Sequence, residues 1–343
     1  MSQSTMVSQW DVTIPADGLS LAGRLFVPVG LGPEDRCPAV AVAGPVPAVK
    51  EIASPGYAAA LAAAGFITLT FDYRGFGASE GARREGGVVN EQADDLRFAL
   101  DYLAGRRDVE PGRLAVCGIG IGAAYACMVA AFDPRVRACA SVGAVLDFRA
   151  AVGSMLGPQP AAAYLADLTR RAEGKRPEAS YIPVVGTRAP LVMLPGEAAF
   201  RFFDRAGRTQ AGRWRNRVSV QLLARLLDFQ ALPFLPQLAQ RPTLFVQGSG
   251  DALSPAARAS RLLEFGSEAW TVEIVWTHHH FELYDATPAG LEAAALVAGW
   301  TARTLRRTHG SSRGPRVIGA PARGHRSPAA DRTGLPKEGT RLY

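Results

Sequence analysis

Apolar and polar positions change their period along this chain, and the changes mark its elements. Trp10-Asp11-Val12-Thr13-Ile14 alternates with period two, Asp17-Gly18 is a hairpin turn signal, and Leu19–Phe26 continues as a second strand. Pro38–Ala43 and Ile67–Phe71 are continuous apolar runs, as strands buried on both faces should be. Between them Gly56–Ala64 is an Ala-rich helix that stops at Gly65. In Asn90–Leu103 the apolar residues Ala93, Leu96, Ala99, Leu100 and Leu103 recur at helical spacing. Leu114–Cys117 then predicts a short strand, Gly122–Phe132 a small-residue helix, and Val136–Val145 another strand.

From Asp147 to Leu238 this rhythm breaks into helix-like apolar clusters such as Leu222-Leu223 and Leu226-Leu227. It resumes with a strand at Thr243–Gln247, a helix at Ala256–Phe265 and a strand at Val272–Trp276. A last helix is predicted over Pro288–Arg307, with Thr287 as N-cap and Pro288 in the first turn. Strands alternating with helices imply a mostly parallel sheet covered on both faces. The expected division is a core over 1–146, a helical cap inserted at 147–238, a second core segment over 239–307 and a tail over 308–343.

Charge changes the picture only at the tail. The net charge of +7 includes +5 from residues 308–343, leaving about +2 for the body, which is not the footprint of a nucleic-acid-binding domain. The tail is rich in Gly, Pro, Ser and Arg and is expected to be disordered. No apolar run is long enough for a membrane span, and MSQSTMVSQWDVTIP lacks the basic cluster and apolar run of a secretory leader. Cys37, Cys117, Cys127 and Cys139 are spaced neither for zinc nor for a disulfide framework, so a reducing cytoplasm is the expectation.

The candidate chemistry lies where strands end. Leu114–Cys117 runs into Gly118-Ile119-Gly120-Ile121-Gly122-Ala123 and then a helix, the setting of a nucleophile elbow, G-x-S-x-G. Thr243–Gln247 is followed by a loop acid, Asp251, and Val272–Trp276 by His278-His279-His280. Elbow, acid and histidine in that order match the order of a hydrolase triad. Adjacent residues on an extended segment alternate faces, so the three histidines cannot converge on one ion; neither a metal nor a cofactor is expected. The glycine run also fits G-x-G-x-x-A, but Asp133 comes too early and Asp147 too late to serve a dinucleotide's ribose.

On FDYRGFGASEG (Phe71–Gly81), the elbow and H-F-E-L-Y-D (His280–Asp285), the chain from about Val12 to Arg307 resembles the α/β-hydrolases. Within them it is most similar to the dienelactone-hydrolase-like and prolyl-oligopeptidase-like branch that includes acyl- and polyketide-transferase-type proteins of specialised metabolism. The resemblance implies an α/β-hydrolase fold with a helical cap, Asp251 as triad acid and His280 as triad base. It also implies an oxyanion hole built from backbone N–H groups near Ile121 and in the loop after Ala43, where Val46 is the candidate.

Two features depart from that pattern. Gly120 stands where the family has Ser or Cys, so no acyl-enzyme can form at residue 120. Pro45 and Pro47 remove N–H donors from the loop that should help form the oxyanion hole. Cys117, inside its strand, is read as an inert thiol, and Ser154 and Tyr181 of the cap as candidates for a replacement nucleophile that reaches the site. The expectation is an enzyme acting on a small organic ester, lactone or carbonyl compound. His280, oriented by Asp251, would be its general base, and the space left at Gly120 would hold substrate or water. The alternative is a catalytically silent ligand-binding or accessory protein on the same scaffold. Neither a nucleic acid nor a membrane is expected as a partner.

Overall fold

A computed structural model describes residues 7–174, 180–187, 191–255, 262, 267–306 and 316–318. Strands β1 (Val7–Ala16) and β2 (Leu19–Pro28) form an antiparallel hairpin; Asp17 and Gly18, both at positive φ, make its two-residue turn. β3 (Cys37–Ala43) leads through α1 (Ser54–Ala63) to β4 (Ile67–Phe71), then α2 (Val89–Ala104), β5 (Val109–Ile119), α3 (Ile121–Phe132) and β6 (Val136–Val142). The predicted strand over Val136–Val145 ends three residues early because Gly143 turns the chain at φ 51°.

The insertion holds α4 (Phe148–Leu156), α5 (Pro158–Ala172), the two-residue strand β7 (Tyr181–Ile182), α6 (Glu197–Thr209), β8 (Val218–Ser219), α7 (Val220–Asp228) and a 3₁₀ segment, Leu232–Leu238. Its helices start on side-chain caps where the sequence supplies them. Asp147 accepts from Ala150 N at 2.8 Å, and Ser219 from Leu222 N at 3.1 Å. The chain returns to the sheet with β9 (Thr243–Gly248) and β10 (Trp270–Val275), passes a 3₁₀ turn at His280–Tyr284 and ends its body in α8 (Pro288–Arg306). Thr287 caps α8 as expected, its Oγ1 accepting from Gly290 N at 3.0 Å. The helix predicted over Ala256–Phe265 lies, apart from Leu262, outside the described residues.

The nine-stranded sheet has the order β1-β2-β4-β3-β5-β6-β9-β10, continued by β11 (Arg316–Ile318). It is parallel from β4 onward and antiparallel at its N-terminal edge. α1 packs with α8 and α2 with α3, covering the sheet on both faces. This is the mostly parallel, covered sheet that the periodicity predicted, in the α/β-hydrolase fold that the resemblance implied. Among the described residues no helix is long and apolar enough to cross a membrane.

β11 corrects the view of the tail as structureless, for three residues. Arg316, Val317 and Ile318 pair parallel with Thr271, Val272 and Glu273. β10 would otherwise expose a row of unpaired backbone groups, and Val317-Ile318 is the tail's one pair of β-branched apolar residues. The remainder of 308–343 lies outside the described residues.

Candidate active site

The C-terminal ends of β5, β9 and β10 converge, and each delivers one part of the site. The turn from β5 into α3 is centred on Gly120, at φ 60° and ψ −119°. L-residues rarely adopt such a conformation, and it is the strained one a nucleophile elbow requires. Gly120 N donates to Val142 O at 2.9 Å, and Gly120 O accepts from Val145 N at 3.0 Å, so the turn is fixed against the end of β6. At Gly122 a β-carbon would collide with the carbonyl oxygens of Ala43 and Gly44, which explains the glycine there: β3's exit loop runs against the start of α3.

After β9 the chain folds back so that Asp251 caps its own loop. Oδ1 accepts from Leu253 N at 2.8 Å and Ser254 N at 2.9 Å, leaving Oδ2 for His280 Nδ1 at 2.6 Å. Both side chains are buried. The carboxylate fixes the tautomer: Nδ1 carries the proton and donates it to Asp251, so Nε2 is the acceptor. The imidazole packs edge-on against the backbone of Gly143, where a β-carbon would stand 2.9 Å from Cε1. His278 and His279 do not join it. His278 turns outward to Glu282 at 3.1 Å, and His279 lies against Phe281. Among the described residues no cluster of three or more His, Cys, Asp or Glu could hold a metal ion.

The Tyr284 hydroxyl reaches into the space at Gly120 that was expected to receive substrate or water. A β-carbon on Gly120 would overlap Tyr284 Oη, with Tyr284 Cζ at 3.2 Å and Pro45 Cβ at 3.3 Å. The same hydroxyl lies 2.6 Å from His280 Nε2. Asp251, His280 and Tyr284 thus form one hydrogen-bonded chain that ends where a serine side chain would end. Tyr284 is held by edge contacts to Phe202 and Phe281, and Tyr57 Oη donates to Leu283 O at 2.7 Å beside it. Burial, with Asp251 and Tyr57 nearby, raises the phenol well above its usual range, so it rests as a neutral hydroxyl donating to Nε2.

A small apolar cavity of about 20 Å³ borders this chain, lined among others by Pro45, Val46, Ile121, Phe203, His280 and Tyr284. It has room for about one water molecule. Ile121 opens α3, where N–H groups lack an intrahelical acceptor. Val46 N–H, buried between Pro45 and the cis-bonded Pro47, makes no hydrogen bond among the described residues. Both oxyanion-hole candidates therefore border the cavity that Tyr284 also lines. From the cap, Phe203 stacks on Trp214, and Trp214 Nε1 donates to Pro47 O at 3.1 Å, tying α6 to the loop that carries Val46.

The other nucleophile candidates are elsewhere. Burial pushes the Cys117 thiol up to about 12, so it is protonated. Ser154 is exposed and donates to Ala150 O, and the Tyr181 hydroxyl donates to Arg84 O. Asp72, Tyr73 and Arg74 hold loops. Asp72 accepts from Lys50 N and Ala78 N, Tyr73 Oη donates to Gly44 O, and Arg74 pairs with Asp95 at 2.7 Å. Tyr284 was not singled out from the sequence. The available signal was its place four residues after His280, close enough for one short turn to present both.

A family model described as serine aminopeptidase, S33, matches residues 53–281. The polyketide transferase claH of Penicillium crustosum is 26% identical over 277 residues, covering 78% of this chain and 88% of the relative. The thiohydrolase aneE of Aspergillus aculeatus is 36% identical over 129 residues, 38% of this chain and 39% of the relative. Among solved structures, the hypothetical protein PA2218 of Pseudomonas aeruginosa superposes with a TM-score of 0.73 at 23% identity, covering 88% of this chain and 95% of that one. DcsB in complex with its substrate analogue gives 0.72 at 20% identity, covering 87% and 100%.

Proposed function

For a chain that belongs to the serine aminopeptidase S33 family of α/β-hydrolases, yet carries glycine at its elbow, we propose an enzyme of specialised metabolism that acts on a small organic ester, lactone or carbonyl compound. His280, oriented by Asp251, serves as its general base, with neither Ser nor Cys as nucleophile. The observation that carries this reading is the buried Asp251–His280 pair at 2.6 Å, with Nε2 directed at the elbow. A base that only filled core space would not need a carboxylate selecting its tautomer. Curated relatives named polyketide transferase, thiohydrolase and acyltransferase point to acyl compounds as the substrate class. The motifs FDYRGFGASEG and HFELYD keep the dienelactone-hydrolase-like branch as the group whose chemistry this site follows.

The test is turnover of an acyl panel containing p-nitrophenyl acetate, δ-valerolactone and the acetyl thioester of N-acetylcysteamine. Turnover above buffer that falls by about 10²–10⁴ in His280→Ala supports the base. Equal turnover in the two proteins overturns it.

A second reading, a catalytically silent binding protein, is favoured by one observation: the cavity of about 20 Å³ is far smaller than an ordinary ligand pocket. It predicts ligand binding without turnover in both proteins.

A further inference from the structure

Resting on the general-base reading above, we propose that Tyr284 is the nucleophile: its Oη replaces the missing elbow side chain and carries the acyl group as an aryl ester. Three independent features meet at that atom. It occupies the volume a residue-120 side chain would need. It is the hydrogen-bond partner of Nε2 at 2.6 Å, the place the hydroxyl of a hydrolase triad takes. The residue that carries it also lines the cavity bordered by Ile121 and Val46, whose N–H groups are the donors available to an oxyanion. The nucleophile has thus moved from the elbow to the turn that carries the base, while the position of the reacting oxygen is retained.

The step balances as acyl transfer. Tyr284 Oη attacks the acyl carbon as its proton passes to His280 Nε2, and Asp251 stabilises the imidazolium through Nδ1. The carbonyl π electrons move to oxygen, giving an oxyanion, and return as the bond to the leaving group breaks. His280 then gives its proton to the departing group. In the second half a water or acceptor hydroxyl loses its proton to His280 and attacks the ester; the Oη–acyl bond breaks, and Tyr284 recovers its proton from His280.

This chemistry selects the donor. An unperturbed phenol ionises near pH 10, close to a thiol at about 8.5 and far below an ordinary hydroxyl; burial raises Tyr284 by penalising its anion, and leaves the energy of the neutral aryl ester to follow this ordinary order. Transfer from a thioester or an aryl ester to Tyr284 is therefore near balance or downhill, whereas transfer from an alkyl ester is strongly uphill. The site's donors are acyl thioesters or aryl esters. The resulting aryl ester passes readily to an alcohol, an amine or water.

The experiment treats the full-length protein with p-nitrophenyl acetate, and separately with p-nitrophenyl dimethylcarbamate, whose adduct hydrolyses slowly, so rapid release cannot hide it. Intact mass and peptide mapping then locate the adduct. One acyl or carbamoyl group on Tyr284, absent in His280→Ala and in Tyr284→Phe, is the expected result. Turnover of the acetyl thioester should fall at least about 10³-fold in Tyr284→Phe. An adduct on another residue, or none on Tyr284 with either reagent, overturns the nucleophile, and because it is read on the wild-type chain it holds even if Tyr284→Phe folds poorly. Turnover lost in His280→Ala but kept in Tyr284→Phe overturns the nucleophile while sparing the general base. Turnover unchanged in both overturns both.

Discussion

Gly120 and Tyr284 exclude one another: a β-carbon at residue 120 and the hydroxyl at residue 284 require the same volume. The absence of a side chain at the elbow and the presence of the phenol are therefore one steric fact. Gly120→Ser alone should cost about 2 kcal/mol, from overpacking and from the positive φ. Adding Tyr284→Phe removes the overlapping atom and leaves Cζ and Pro45 Cβ at 3.2 and 3.3 Å. The double variant should recover a good part of that loss in urea unfolding and become reactive toward fluorophosphonates at residue 120. Additive losses would show that the two positions do not compete.

Asp251→Asn keeps an acceptor for Leu253 and Ser254 N–H, so the loop should stay folded with little change in melting temperature. It removes the charge that stabilises the imidazolium and can select the wrong tautomer. Turnover should drop by about 10²–10⁴ at nearly constant KM. A loss below tenfold would mean that the carboxylate does not orient the base.

Asp95 gives stability a pH signature. Burial pushes its carboxyl up to about 6, with the Arg74 guanidinium opposing. The native state therefore holds this proton more tightly than the unfolded chain, where the group ionises near 3.9. Its contribution is complete below about pH 4 and is lost as pH rises through about 6, a change of no more than about 3 kcal/mol. In urea unfolding at pH 4.5 and 7, Asp95→Asn should flatten the difference seen in the parent. An identical difference would show that Asp95 ionises alike in both states.

Phe203, on α6, lines the cavity, stacked on Trp214 and edge-on to Phe202 and Phe281. Phe203→Ala should cost about 3–5 kcal/mol. It should also widen the cavity, shifting donor preference from acetyl toward hexanoyl thioesters, read as kcat/KM. An unchanged chain-length preference would place the acyl group elsewhere.

What was legible followed from local pattern. The elbow, the loop acid and the loop histidine each sit at the end of a strand whose apolar run is visible, so their meeting follows from the fold. Tyr284 was not legible as a functional residue, because its meaning depends on how far a ring reaches toward a glycine more than a hundred and fifty positions earlier. The cavity's size was equally hidden: it depends on how Phe203 packs between Trp214 and the cavity, which no local pattern reveals. At β11 a composition typical of disorder concealed two residues able to extend an open edge.

His280 and Tyr284 share one five-residue turn, steadied by the bond from Tyr57 to the carbonyl of Leu283. In an elbow-based triad, base and hydroxyl belong to different loops, and any slippage between strands mistunes them. Here their mutual spacing comes from adjacent backbone and survives such slippage. Movement of the elbow changes where the pair is aimed, not how well its two members match. Aim and match, fused in the usual arrangement, are separate properties of this protein and can be altered one at a time.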